Sequence, residues 1–202
     1  MLDTHIHADH LSRSRLLCGH TGAKLYLPAQ QRVTFSHESL VEGTAIRFGH
    51  ATLRALHTPG HTLDSMSYLV EDSWLLTGDT LFLEGVGRPD LEAGTEQARA
   101  RALLLHASLR RLFTLDPQLL VLPAHTSLPT AFDQKPVTAS LATVRDAVQL
   151  SDTARVFADH VLSRIPAAPP NHHVIVGFNE AGNLPAGDLT DLEAGANRCA
   201  VA

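Results

Sequence analysis

The sequence predicts a mixed α/β (α+β) fold on three observations. Up to residue 122, short apolar runs rich in Val, Leu and Ile are closed by Gly, Pro or clusters of polar turn residues, the pattern of short strands. From Thr95 onward, longer segments carry apolar residues at three- and four-residue intervals, the pattern of amphipathic helices. At 202 residues the chain is long enough for one substantial core, and dividing it would leave pieces near the lower limit of domain size.

Taken in order, Met1 to Thr4 read as the end of a strand. Leu11 to His20 read as a short helix, with Ser12 or Ser14 as cap and the Gly19/Gly22 pair as stop. A strand is expected at Ala23 to Leu27, ended by Pro28. The polar, aperiodic stretch from Ala29 to Glu42 is expected to be a loop near the mouth of a site. Ala45 to Phe48 and Ala51 to Leu56 flank Gly49-His50 as a hairpin whose second strand leads to His57 and His61. Met66 to Val70 and Trp74 to Thr77 form a second hairpin about Glu71-Asp72-Ser73 and run into Gly78-Asp79. Ala98, Ala102, Leu105, Leu109 and Leu112 define the apolar stripe of a helix from Thr95 to Phe113, with Thr95 as its cap. Leu119 to Leu122 is a buried strand leading to His125. Helices follow at Val137 to Leu150 and Thr153 to Ile165, with Thr138 or Ser140 and Asp152 as caps, until Pro166, Pro169 and Pro170 stop helix formation. The expected organisation is a catalytic domain over 1–165 and a tail over 166–202 that wraps the same domain.

Composition narrows the function. A net charge of -5 and a pI near 6.2 supply no field for phosphate backbones, and no basic run is interleaved with aromatics, so nucleic acid is not an expected partner. No apolar run approaches the roughly 18 residues of a membrane span. Nothing near Met1 reads as an export signal, and a cytoplasmic enzyme is the expectation. Two cysteines, Cys18 and Cys199, make no framework; neither lies in a motif, and neither is expected to act in catalysis.

The stretch that carries chemistry is Asp3-Thr4-His5-Ile6-His7-Ala8-Asp9-His10, three imidazoles and two carboxylates in close sequence. Such groups repel and desolvate one another unless a cation offsets the cost, and they are natural ligands of zinc and non-haem iron; taken alone, the stretch also reads as a solvated polar loop. Three later clusters bear on the choice: Thr58-Pro59-Gly60-His61-Thr62, Thr77-Gly78-Asp79-Thr80 and Leu122-Pro123-Ala124-His125. Each follows an apolar run and ends on, or close to, a candidate ligand, as a fixed coordination geometry on a rigid scaffold requires.

H-x-H-x-D-H, then Pro-Gly-His, Gly-Asp and Pro-Ala-His, in that order, resembles the metallo-β-lactamase superfamily. The resemblance implies an αββα sandwich with metals at one edge, on loops leaving the strands. Gly78-Asp79-Thr80-Leu81-Phe82, followed by Gly85-Val86-Gly87-Arg88-Pro89-Asp90, is similar to the persulfide dioxygenase (sulfur dioxygenase) branch, relatives of glyoxalase II. That branch implies one Fe(2+) per chain held by His5, His61 and Asp79, and oxidation of glutathione persulfide to sulfite. His7, Asp9, His10 and His125 would then orient water, or hold a second metal if the site takes one or two Zn(2+) as in glyoxalase II. Asp9 and His125 are the candidate acid–base residues. Arg88 is a candidate for binding a substrate carboxylate, or a structural ion pair with Asp90 or Glu92.

The branch carries a tyrosine soon after the last histidine, where this chain has Thr126-Ser127-Leu128. It also carries several strands before the first motif, which here begins at residue 3. The expectation is therefore an N-terminally truncated sandwich with core residues such as Leu69, Leu75 and Leu120 exposed, a free strand edge and a tendency to homo-oligomerise. The functions that follow are an iron persulfide dioxygenase, a zinc thioester hydrolase of glyoxalase II type, or a defective fragment.

Overall fold

The computed structural model describes residues 1–126, 130–131, 133–193 and 199–201. The fold is built on a six-stranded mixed sheet with helices on one face and a two-stranded parallel sheet on the other. The elements, in order, are α1 (Ser14–Thr21), β1 (Tyr26–Pro28), β2 (Glu38–Leu40), β3 (Ala45–Phe48), β4 (Ala51–His57), β5 (Met66–Val70), β6 (Trp74–Gly78), β7 (Val86–Gly87), α2 (Thr95–Leu112), β8 (Leu120–Pro123), β9 (Ala139–Ser140), α3 (Leu141–Val148), α4 (Ala154–Ser163), α5 (His172–Ala181), α6 (Thr190–Glu193) and β10 (Ala200–Val201).

The main sheet has the order β3-β4-β5-β6-β8-β9; neighbours are antiparallel except β6 and β8, which run parallel. β4, β6 and β8 consequently end at the same edge of the sheet. Leu69, Leu75 and Val121 share a face, in register across β5, β6 and β8, and pack against Leu105, Leu109 and Leu112 of α2, Val144 of α3 and Phe157 and Val161 of α4. On the opposite face Leu53, Ala55, Met66 and Tyr68 meet Leu40 of β2 and Tyr26 of β1. β1 pairs in parallel with β2 and through a single bridge with Leu2, so the second sheet is small.

The expected exposure of Leu69 and Leu75 is not found: both are buried, because the helices cover their face. Leu120 lies on the other face with Leu76 and Leu122 and is half-buried.

Several expected boundaries move for physical reasons. The first strand begins at Tyr26, not Ala23, and includes Pro28; proline is tolerated at the end of a strand that, apart from the Leu2 bridge at Tyr26, pairs with β2. The stretch read as loop over 29–42 contains β2. The α1 cap residue is Arg13, and the hydroxyls of Ser12 and Ser14 instead donate to the Asp3 carboxylate at 2.7 and 2.6 Å. Thr95 is the first residue of α2, with Gly94 before it in extended conformation. Ser140 does cap its helix, accepting a hydrogen bond from the Thr143 amide, but the expected helix start at Val137 is replaced by β9. Thr153 rather than Asp152 precedes α4. The tail contains two helices and a strand: β10 pairs antiparallel with β7, and Val176 of α5 packs on Ile6 and Ala8.

Candidate metal centre

The first motif works by alternation. Ile6 and Ala8 turn into a small apolar cluster with Leu91 and Val176, which leaves His5, His7 and Asp9 directed to the other side. The backbone is pinned from three directions: the Met66 amide donates to the Thr4 carbonyl at 2.9 Å, the Ile6 amide to the Asp64 carboxylate at 3.3 Å, and the Asn179 side-chain amide to the carbonyls of His7 and His10 at 2.8 and 2.9 Å. Nothing in the sequence marks Asp64 or Asn179 for this role, since each acts on backbone through a fold-dependent contact.

The other ligands arrive from strand ends. After β4, Gly60 holds φ at +149°, and a Cβ there would lie 2.4 Å from Leu105, so glycine lets α2 approach the loop that carries His61. At the end of β6, Gly78 at φ +51° leaves room for Thr4, whose hydroxyl hydrogen-bonds with His5 Nδ1 at 2.9 Å. His61 Nδ1 donates to the Arg88 carbonyl at 2.7 Å, which directs its Nε2 to Asp79, 3.6 Å away. The ligand atoms of His5, His61 and Asp79 lie within 4.8 Å of one another, and all three residues are buried.

Asp79 faces both ways. Its second oxygen is 3.4 Å from His125 Nε2, which is 3.2 Å from Asp9; Asp9 in turn is 3.1 Å from His10 and 3.9 Å from His7. All seven motif residues expected to gather do so. A further group joins them that the motifs do not contain: Cys199, whose sulfur lies with the ligand atoms of Asp9 and His125 within 4.8 Å. The sequence gives this thiol no motif; β10 draws it in beside β7.

Electrostatics prepares these groups for a cation. Burial and the neighbouring imidazole of His7 push His5 well below the usual imidazole range, and burial with His10 lowers His7, so both are neutral donors. Burial alone would raise Asp79 and Asp9, but the surrounding histidines outweigh it and hold both carboxyls ionised, well below their usual range. Burial would lower His125; the carboxylates of Asp79 and Asp9 reverse this and hold it well above the usual value. Burial pushes the Cys199 thiol up to about 11, against the contact with His125, which works the other way. Among the described residues, His5 Nε2, His7 Nδ1, His125 Nε2 and both Asp79 oxygens are buried without a hydrogen-bond partner. Unmatched polar atoms of this kind are costly in a protein interior, and the neutral imidazoles of His5 and His7 beside ionised carboxylates are the state in which a divalent metal is bound, whereas His125 would give up its proton to serve as a ligand. The residues fit a metal.

Arg88 takes the structural alternative. Its guanidinium is 1% exposed, pairs with both Asp90 oxygens at 2.7 and 2.8 Å and donates to the Ala167 carbonyl, so it holds the loop rather than meeting a substrate. Ser127 and Leu128, which stand where the sulfur dioxygenase branch has its tyrosine, lie outside the described residues.

The family model described as the metallo-beta-lactamase superfamily matches residues 4–125, from the first histidine motif to the last. The chain belongs to the metallo-beta-lactamase superfamily. Within that superfamily it is 33% identical over 131 residues to the mitochondrial persulfide dioxygenase ETHE1 of Homo sapiens, a match covering 61% of this chain and 47% of the relative. It is 35% identical over 127 residues to a hydroxyacylglutathione hydrolase of Acidiphilium cryptum, covering 62% and 49%. The chain thus spans about half the length of the curated relatives it matches. Among solved structures, ETHE1 from Myxococcus xanthus superposes with a TM-score of 0.59 at 30% identity over 92% of this chain and 69% of that one. A metallo-beta-lactamase from Staphylococcus aureus gives 0.81 at 24% identity, covering 91% and 58%, a likeness of fold. Relatives in this superfamily include both a dioxygenase and hydrolases, and the fold supports metal-dependent chemistry.

Proposed function

We propose that this chain is an iron-dependent persulfide dioxygenase with one Fe(2+), acting on glutathione persulfide. The observation that carries the reading is the convergence of His5, His61 and Asp79 with His5 Nε2 and both Asp79 oxygens lacking protein partners. These two imidazoles and one carboxylate would hold ferrous iron, which would supply the redox chemistry between a persulfide and dioxygen. In the overall reaction the persulfide, dioxygen and one water give the thiol, sulfite and two protons; the outer sulfur is oxidised and dioxygen is reduced. The protein's part is to position and to manage protons. The Arg88 carbonyl fixes the tautomer of His61, Thr4 orients His5, and Asp9, held ionised between His10 and His125, is placed to orient water. The likeness to the human persulfide dioxygenase ETHE1 and to ETHE1 of Myxococcus xanthus supports this assignment.

A second reading rests on a separate observation. His7, Asp9 and His10 form their own cluster, and Asp79 reaches both it and His61 through His125 and its two oxygens. That arrangement supports two Zn(2+) and a thioester hydrolase of glyoxalase II type, in which Asp9 would act as general base. The partner in either case is a small thiol-derived molecule. No helix among the described residues is long and apolar enough to cross a membrane.

The test is metal analysis of protein purified without oxygen, with oxygen uptake and sulfite formation from glutathione persulfide measured on the same sample. Iron near one equivalent with sulfite formation is the expected result. Two equivalents of zinc with hydrolysis of an acylglutathione, and no oxygen uptake in the iron-loaded protein, would replace the first reading by the second.

A further inference from the structure

The helix that clamps the first motif begins with two histidines that the centre does not use. His172 and His173 open α5, and their ring centroids are 3.8 Å apart. The His172 side chain is 12% exposed, and its Nδ1 donates to the Pro169 carbonyl at 2.6 Å. A carbonyl can only accept, so Nδ1 carries the proton and Nε2 of the neutral ring is left with its lone pair. Facing it is Glu92, in the turn between β7 and α2, with Oε1 3.5 Å from His172 Nε2 and in contact with His173 Nδ1. The ligand atoms of the three residues lie within 4.8 Å of one another.

The turn presents its carboxylate from a fixed position. Glu92 has φ at +56°, uncommon for a residue with a side chain. Arg101 of α2 donates to the Leu91 carbonyl at 2.7 Å, the Ala93 amide donates to the Asp90 carbonyl at 3.1 Å, and Leu91 packs with Val176 of α5. On the other side, the Arg88 guanidinium reaches the Ala167 carbonyl in the segment leading to α5. Two acceptors that face each other repel unless a cation or a proton lies between them. The positive end of α5 draws a carboxylate, but it does not account for two imidazole nitrogens turned to one oxygen. Two imidazoles and a carboxylate are a donor set that zinc and neighbouring transition ions accept, with water completing the shell, and that magnesium and calcium do not favour. A backbone carbonyl on the far nitrogen, as at His172, is the usual outer partner of a metal-bound imidazole.

We propose that Glu92, His172 and His173 form a site for a divalent ion of the zinc class, sharing no residue with the motif centre, that staples the start of α5 to the turn after β7. His172 would give the lone pair of Nε2 and His173 that of Nδ1, with the His173 proton on Nε2, so coordination of the neutral rings breaks no bond and transfers no electron. The same helix carries Asn179, whose side chain holds the carbonyls of His7 and His10, and an ion at its first turn would steady the first motif from outside. The site does not depend on which reaction the motif centre carries out.

The experiment uses the full chain with its motif centre already saturated with zinc. Further zinc is added in competition with a chromophoric chelator, while the ring resonances of His172 and His173, assigned by triple-resonance NMR, are followed on the same protein. One further equivalent is expected, and its uptake is expected to move both sets of resonances together. Loss of an outer partner typically weakens metal binding about 10- to 100-fold, so Glu92→Gln and His173→Gln, which remove direct ligands, are each expected to weaken that equivalent by at least about 100-fold. Zinc at the motif centre should stay in place in both variants, read by elemental analysis after dialysis. Resonances of His172 and His173 that zinc leaves unmoved in the wild-type protein overturn the proposal however any variant folds, and make a proton the group between imidazole and carboxylate. Retention of the further equivalent in Glu92→Gln overturns it equally.

Discussion

His61 and His10 illustrate how burial and orientation rank two histidines that look alike in the sequence. His61 is 3% exposed, with Nδ1 fixed by the Arg88 carbonyl and Nε2 aimed at Asp79, whereas the His10 side chain is 43% exposed and leans on Asp9. His61→Ala is expected to leave the primary metal weakly held, and His10→Ala to cost about 10- to 100-fold in affinity at most. Elemental analysis after dialysis reads the difference, and equal losses would argue for two metals of comparable standing. The same residues set a pH dependence in the metal-free protein. The folded-state pKa values of His5 and His7 are lowered from 6.5, so below that value the unfolded chain binds protons that the folded one does not, and their contribution to stability falls as pH falls. His125 and His10 act in the opposite sense: with folded values raised above 6.5, their contribution is fully present below it and is lost as pH rises through the folded values. In urea unfolding, His7→Gln should therefore lose less stability than wild type on acidification from neutral pH, whereas His125→Gln should steepen that loss. Parallel pH profiles for the two variants would contradict these assignments.

At the level of elements, the centre depends on close backbone approach as much as on its ligands. A Cβ on Gly87 would lie 1.9 Å from the Asp79 carbonyl and 3.0 Å from His61 Nδ1, so the β7 strand can serve the site only with glycine there. Gly87→Ala is expected to displace the Asp79 and His61 loops together and cost about 1–3 kcal/mol as an overpacking change, with metal content falling in the same sample. Thermal unfolding and metal analysis read both effects; normal metal content would show that the loops can move apart without harm. The α3 cap offers a contrast remote from the ligands. Ser140→Ala removes the bond from the Thr143 amide and should cost about 1 kcal/mol while metal content is unchanged.

Over the whole molecule, the tail is the segment whose role is largest relative to its sequence signal. Asn179 of α5 clamps the first motif, Ala167 receives a hydrogen bond from Arg88, Glu193 pairs with Arg13, and β10 carries Cys199 to the centre. A chain ending at residue 165 is expected to retain the six-stranded sheet and the α2–α4 layer but to unfold at lower temperature and bind metal more weakly. An unchanged, metal-dependent transition in the shortened protein would show that residues 166–202 are an appendage.

What the sequence determined by itself is the set of candidate ligands and the class of fold. His5, His7, Asp9, His10, His61, Asp79 and His125 stand in short motifs, and the strands that end on them have apolar runs long enough to be read without knowledge of their neighbours. The two hairpins over 45–57 and 66–78 were legible for the same reason, since their pairing is local. Tertiary structure alone decided the rest. β2, β7, β9 and β10 are two or three residues long and exist only because a partner distant in sequence supplies their hydrogen bonds. The burial of Leu69 and Leu75, the pairing of Arg88 with Asp90, and the bracing by Asp64 and Asn179 depend likewise on which surfaces the helices and the tail come to cover. Cys199 is the sharpest case: a lone thiol near the end of a chain has no pattern to read, and only the pairing of β10 with β7 brings it to the metal centre, because a ligand site is a matter of distance in space and not of spacing along the chain.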